Sequence, residues 1–111
     1  MDSPKIAPHL WFDNNALEAA EFYVGAFGDS RITSKAVLRD TPSGDCDTVS
    51  FELRGQPFMA ISAGPLFTFN PSVSFMVNFD PSRDAVARDH LDGLWQQLSD
   101  GGRVLMPLDA Y

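Results

Sequence analysis

The stretch that decides the fold runs Ile6-Ala7-Pro8-His9-Leu10-Trp11-Phe12-Asp13-Asn14-Asn15-Ala16-Leu17-Glu18-Ala19-Ala20-Glu21-Phe22-Tyr23-Val24-Gly25-Ala26-Phe27-Gly28. Its first part, Lys5 to Asp13, carries the β-branched and aromatic bulk of a strand in Ile6, Leu10, Trp11 and Phe12. Pro8 has no amide to give a ladder, so the strand sits at a sheet edge or starts after Pro8. The period then changes. Ala16, Leu17, Ala19, Ala20, Tyr23, Val24 and Phe27 recur at helical spacing, with Glu18 and Glu21 on the other side. Asn15 followed by Glu18 predicts a capping-box-like start, and Gly28 a C′ residue.

Downstream of this strand–helix unit the period returns to two. Arg31 to Arg39 predicts a strand and Thr41-Pro42-Ser43-Gly44-Asp45 a turn. Thr48 to Arg54 alternates strictly, with Val49, Phe51 and Leu53 on one face and Ser50, Glu52 and Arg54 on the other. Gly55-Gln56 predicts a tight reversal into a returning arm from Pro57 to Ala63, closed by Gly64-Pro65. Leu66 to Ser72 is a loop rich in bulk, with Leu66, Phe67 and Phe69. Val73 to Phe79 predicts another strand, closed by Asp80-Pro81. From Ser82 as N-cap a second helix runs to about Ser99, on a stripe of Ala87, Leu91, Leu94 or Trp95, and Leu98. Gly101-Gly102 stops it, and Arg103 to Met106 begins a further strand.

These segments form a weak repeat, a strand leading to a helix that ends in glycine, twice over. Three strands follow the first helix, but only nine residues follow Gly102, room for one. The expectation is one α+β domain over residues 1–111, with a first βαβββ module at about 5–65 and an incomplete second module at about 72–111. Either the chain is part of a longer protein or a second subunit supplies the missing strands, since a long open edge invites aggregation.

Composition narrows function without naming it. The chain has 111 residues, 44% of them hydrophobic, which is enough for a core without disulfides or a structural metal. Fifteen acidic against eight basic residues give a net charge of −7. That balance argues against nucleic acid or an anionic membrane as partner, because both are bound through Lys and Arg. The single cysteine, Cys46, between Asp45 and Asp47, reads as an inert surface or strand-edge thiol, since the flanking charge disfavours a thiolate. With neither an apolar leader after Met1 nor a run of about 20 apolar residues, the expected setting is the cytoplasm.

The sequence also resembles a family. Ile6 to Asp13, Glu18 to Val24 and Phe27-Gly28-Asp29-Ser30-Arg31-Ile32 resemble the opening of PhnB-like proteins. This family is labelled the "3-demethylubiquinone 3-methyltransferase" domain, within the vicinal-oxygen-chelate (glyoxalase/bleomycin-resistance) superfamily. Phe51 to Phe58, Ala63-Gly64-Pro65, Phe67 to Asn70, Val73-Ser74-Phe75 and Leu94 to Leu98 with Gly101-Gly102 continue the likeness over nearly the whole chain. It implies paired βαβββ modules around a cupped mixed sheet, and often a dimer. Metal-binding relatives use His, Glu or Gln on the cup as ligands to a Lewis-acid ion. The corresponding positions here are Pro8, a place near Ala60, and Ser74, with the last beyond Tyr111. Proline and alanine cannot ligate, so no metal and no cofactor are expected.

His9, one residue along from Pro8, points to the other face and reads as packed or solvated rather than as a ligand. His90 reads as a surface or helix-packing residue, and Glu52 as part of a solvated face or a cross-strand pair. Asp84, Asp89 and Asp92, interleaved with Arg83 and Arg88, read as a solvated helix face. Methyl transfer is not expected. The first strand leads into Asp13-Asn14-Asn15 rather than the glycine-rich turn of a nucleotide-binding site. No catalytic residue is assigned.

What is left is a cup lined by Leu10, Phe12, Ala60, Ser62, Ser74, Met76 and Asn78, apolar with a few polar groups, which suits a small organic ligand. The same residues serve equally as core filling. The functional expectation is metal-free binding of a small organic molecule by a homodimer. The alternative is a divalent-metal lyase, isomerase or dioxygenase-type enzyme using His9, Ser74 and a residue beyond Tyr111.

Overall fold

The computed structural model describes residues 6–70, 72–83, 85–100 and 102. The chain divides into two compact units, one ending at Pro71 and the other starting at Ser72. In the first, strand β1 (His9–Phe12) leads to helix α1 (Ala16–Phe27), then to β2 (Ser30–Thr41), β3 (Gly44–Leu53) and β4 (Gln56–Ser62). This is the expected βαβββ order. The four strands form one cupped, mixed sheet in the order β1-β4-β3-β2. β1 lies parallel to β4, and the other pairs are antiparallel. The fold class is α+β.

The register assigns every side chain to a face. One face carries the rows Phe12–Ser62–Asp47–Val37, Leu10–Ala60–Val49–Lys35 and Phe58–Phe51–Ile32. α1 packs on this face. Ala16 and Ala20, both fully buried, sit one helical turn apart and let the helix backbone approach the sheet closely. Together with Val49, Phe51, Phe58 and Ala60 they make the core, flanked by Leu10, Phe12, Leu17, Tyr23, Val24, Ile32 and Leu53. The Phe51 and Phe58 rings stack at 5.5 Å.

The helix start is set differently from the sequence expectation. Asn15 holds the N-cap position but its side chain makes no capping bond. The Ala16 amide instead donates to Ser62 Oγ at 3.0 Å, so a residue of β4 caps the helix from across the sheet. At the other end Gly28 takes φ 67°, and its amide donates to the Val24 carbonyl. The β3–β4 turn is shifted by one residue from Gly55-Gln56. Leu53 pairs with Gln56, and the central residues Arg54 (φ 53°) and Gly55 (φ 89°) both have the positive φ that a two-residue hairpin turn needs.

The second unit departs further. Val73–Phe79 is not a strand, because it has no ladder partner among the described residues. A strand exists only by pairing, whatever its propensity. The expected strand at Arg103–Met106 lies outside the described residues. Helix α2 (Ala87–Ser99) starts five residues after Ser82. Asp80 Oδ1 accepts both the Ser82 amide (3.0 Å) and the Ser82 hydroxyl (2.6 Å), a local turn that uses up the hydroxyl expected to cap the helix. Along α2, Ala87 and Leu94 are buried, Leu98 is exposed, and Arg88 pairs with Asp92 one turn on. Asp84 lies outside the described residues.

Candidate functional site

A sheet covered by a helix on one side leaves its other side as the natural place for a site. In the first unit the helix-free face carries the rows Leu38–Cys46, Ala36–Thr48–Ile61–Trp11, Ser34–Ser50–Met59–His9 and Arg31–Glu52–Pro57. It grades from apolar through small hydroxyls to charge. Thr48 is buried and its Oγ1 donates to the Ala36 carbonyl, while Met59 and Leu38 are exposed. Arg31 and Glu52 sit opposite each other and pair at 3.3 Å, so Glu52 belongs to a cross-strand ion pair. Cys46 is buried rather than at the surface, 3.3 Å from Thr41 Oγ1.

Four of the expected cup residues lie on the opposite side of this sheet. Leu10, Phe12 and Ala60 pack beneath α1, and Ser62 holds its N-terminus, so these four are part of the core side. Ser74, Met76 and Asn78 lie in the second unit and are exposed. The alternation was legible, but not which set of alternating residues the helix would cover. The same inversion brings His9, with Trp11, to the helix-free face, and leaves Pro8 with the parity of Leu10. The residues that sequence reasoning passed over are therefore Trp11, Ser50, Met59 and Ile61. Their signal was the alternating partner set of the very strands chosen.

Among the described residues the donor set does not fit a chelated ion. Among the described residues no three of His, Cys, Asp and Glu come together. His9 on β1 and Glu52 on β3 are two strand spacings apart, roughly 10 Å, and also lie in different rows. Glu52 is in addition engaged by Arg31 at 3.3 Å. His90 is exposed on α2.

Beside the face, the chain leaving β4 folds back over β1. The Ala63 and Gly64 amides donate to the Phe12 and Asp13 carbonyls, and Gly64 turns at φ 90°. The Trp11 indole donates from Nε1 to the Gly64 carbonyl at 2.9 Å. Phe67 then packs edge-on to Trp11 (4.9 Å) and Phe69 edge-on to Phe12 (5.2 Å). Trp11 and Phe12 point to opposite faces, so the loop puts one aromatic ring on each side of β1. At the far corner Asp29, Ser30, Arg31, Glu52, Arg54 and Gly55 line an open polar depression.

The sequence profile of the 3-demethylubiquinone-9 3-methyltransferase family matches residues 4–108. The chain belongs to this family. Among solved structures, a PhnB protein from Bacillus cereus, provisionally designated a 3-demethylubiquinone-9 3-methyltransferase, superposes with a TM-score of 0.75 at 28% identity. The match covers 97% of this chain and 83% of that one. A protein from Staphylococcus aureus is 32% identical over 96% of this chain and 77% of its own, with a TM-score of 0.46. No functionally curated protein matches. Family membership agrees with the resemblance read from Ile6–Asp13 and the segments after it. No helix among the described residues is long and apolar enough to cross a membrane.

Proposed function

We propose that this member of the PhnB-like family binds a small organic molecule on the helix-free face of its sheet, without a metal, as a homodimer. One observation carries the reading: the sheet has a face, opposite its helix-packed core, where Trp11, Ile61 and Met59 stand beside the hydroxyls of Ser50 and Thr48. Apolar walls with few polar groups are what a ligand pocket needs. The pairing of Glu52 with Arg31, and the lack of three ligating side chains together among the described residues, support binding over Lewis-acid chemistry. Methyl transfer finds no support either, because Asp13-Asn14-Asn15 after β1 offers no glycine-rich turn for a nucleotide cofactor.

The dimer is supported by bulk left in solvent. Leu66 (72% exposed), Val73 (69%) and Met76 (85%) are large apolar side chains of the kind that subunit contacts cover. The test is a fluorescence titration of the full chain with the neutral probe N-phenyl-1-naphthylamine, alongside sedimentation velocity. Saturable binding that Met59→Glu abolishes, in a species of twice the chain mass, is the expected result. A stoichiometric divalent metal in the purified protein, or binding unaffected by Met59→Glu, refutes the reading.

A further inference from the structure

The loop over β1 is built asymmetrically. On the core side Phe69 meets Phe12, itself packed against the hydrophobic cluster. On the helix-free side Phe67 meets Trp11 by a ring edge and is 59% exposed. An aromatic ring in edge contact with another and more than half in water gains by covering more apolar surface. The adjoining surface is Trp11, then Ile61 on the neighbouring strand in the same row, with Met59 in the next.

That surface is also poor in charge. Its central rows, Ala36–Thr48–Ile61–Trp11 and Ser34–Ser50–Met59–His9, hold no carboxylate, lysine or arginine. Arg31 and Glu52, one row on, neutralise each other. The Trp11 N–H is taken by the Gly64 carbonyl and the Thr48 hydroxyl by the Ala36 carbonyl. An ionised ligand would give up its hydration here for no counter-charge, whereas a neutral ring would lose nothing.

We propose that Phe67 is the specificity-determining residue of this face. It forms with Trp11 an aromatic wall that closes on a flat, uncharged ring compound and discriminates against charged analogues. The inference rests on the proposed ligand site, and it adds the ligand class and the residue that selects it.

The test uses full-length protein in a Trp95→Phe background, so that Trp11 is the indole observed. N-phenyl-1-naphthylamine is compared with its sulfonated analogue 8-anilinonaphthalene-1-sulfonate. Expected results are at least about tenfold weaker binding of the sulfonate, and about tenfold weaker binding of the neutral probe to Phe67→Ala. Phe67→Leu, which keeps bulk without the ring, falls between. Phe22→Ala, which removes a half-exposed ring on α1, stays within about twofold of the parent. Without ligand, Phe67→Ala raises acrylamide quenching of Trp11. If Phe67→Ala binds like the parent while Met59→Glu still abolishes binding, the inference falls and the site stands. Equal or tighter binding of the sulfonate overturns the uncharged class. No binding of the neutral probe to the parent overturns both.

Discussion

Replacing Ser62 by alanine separates the two ways of reading the start of α1. In the structure the Ala16 amide, in a fully buried residue, donates to Ser62 Oγ at 3.0 Å, and the Asn15 side chain caps nothing. Ser62→Ala therefore strands a buried donor at the helix N-terminus. An unsatisfied buried donor costs about 1–3 kcal/mol and a lost cap about 0.5–2 kcal/mol. Ser62 is only partly buried, so water partly replaces the hydroxyl, and the working figure is about 1–1.5 kcal/mol. Asn15→Ala, at an exposed position with no side-chain bond, should cost no more than about 0.5 kcal/mol. The assay is urea unfolding of both variants followed by circular dichroism, with the slope m checked for constancy. Ser62→Ala should lower the melting temperature by roughly 5–8 °C and Asn15→Ala by little. A reversed ranking, with Asn15→Ala the costlier change, refutes the cross-sheet cap and restores the local one.

Two glycines with open space where a Cβ would stand should behave oppositely. Gly55→Ala, at φ 89°, should destabilise by about 1–2 kcal/mol, while Gly25→Ala, inside α1, should stabilise by about 0.5–1 kcal/mol; thermal melts of the pair decide. The Ser82 hydroxyl, and after it the Ser82 amide, hold the Asp80 carboxyl below its ordinary pKa. Whatever stability the contact lends is present above the unfolded-state pKa and is lost as pH falls through the lower folded one. In an NMR titration Ser82→Ala should move the Asp80 midpoint up, and an unmoved midpoint would contradict the assignment.

Much of the first unit was legible because its signals are local. The switch from period two to period 3.6 and back located β1, α1 and the β3–β4 hairpin. Gly28 marked the helix end, and the strict alternation of Val49, Phe51 and Leu53 identified the buried face of β3. Arg31 and Glu52 became the cross-strand pair that alternation allowed. Where a residue's role hung on something distant, the reading failed. Ser62 caps a helix 46 residues earlier in the chain. Val73–Phe79 has the composition of a strand and no partner among the described residues. Ser82, a good capping residue by type, is taken by Asp80 before the helix begins.

By itself, the amino-acid order determined which elements form and in what succession, since backbone preference, turn chemistry and hydrophobic period act over a few residues. It also divided each strand into two alternating sets. For β1 and β4, only the tertiary structure decided which set the helix covers. α1 docks over Leu10, Phe12 and Ala60, and so turns Trp11, Met59 and Ile61 outward with His9. Period two is symmetric between the faces of a sheet, and the choice is made by the side on which the helix lands.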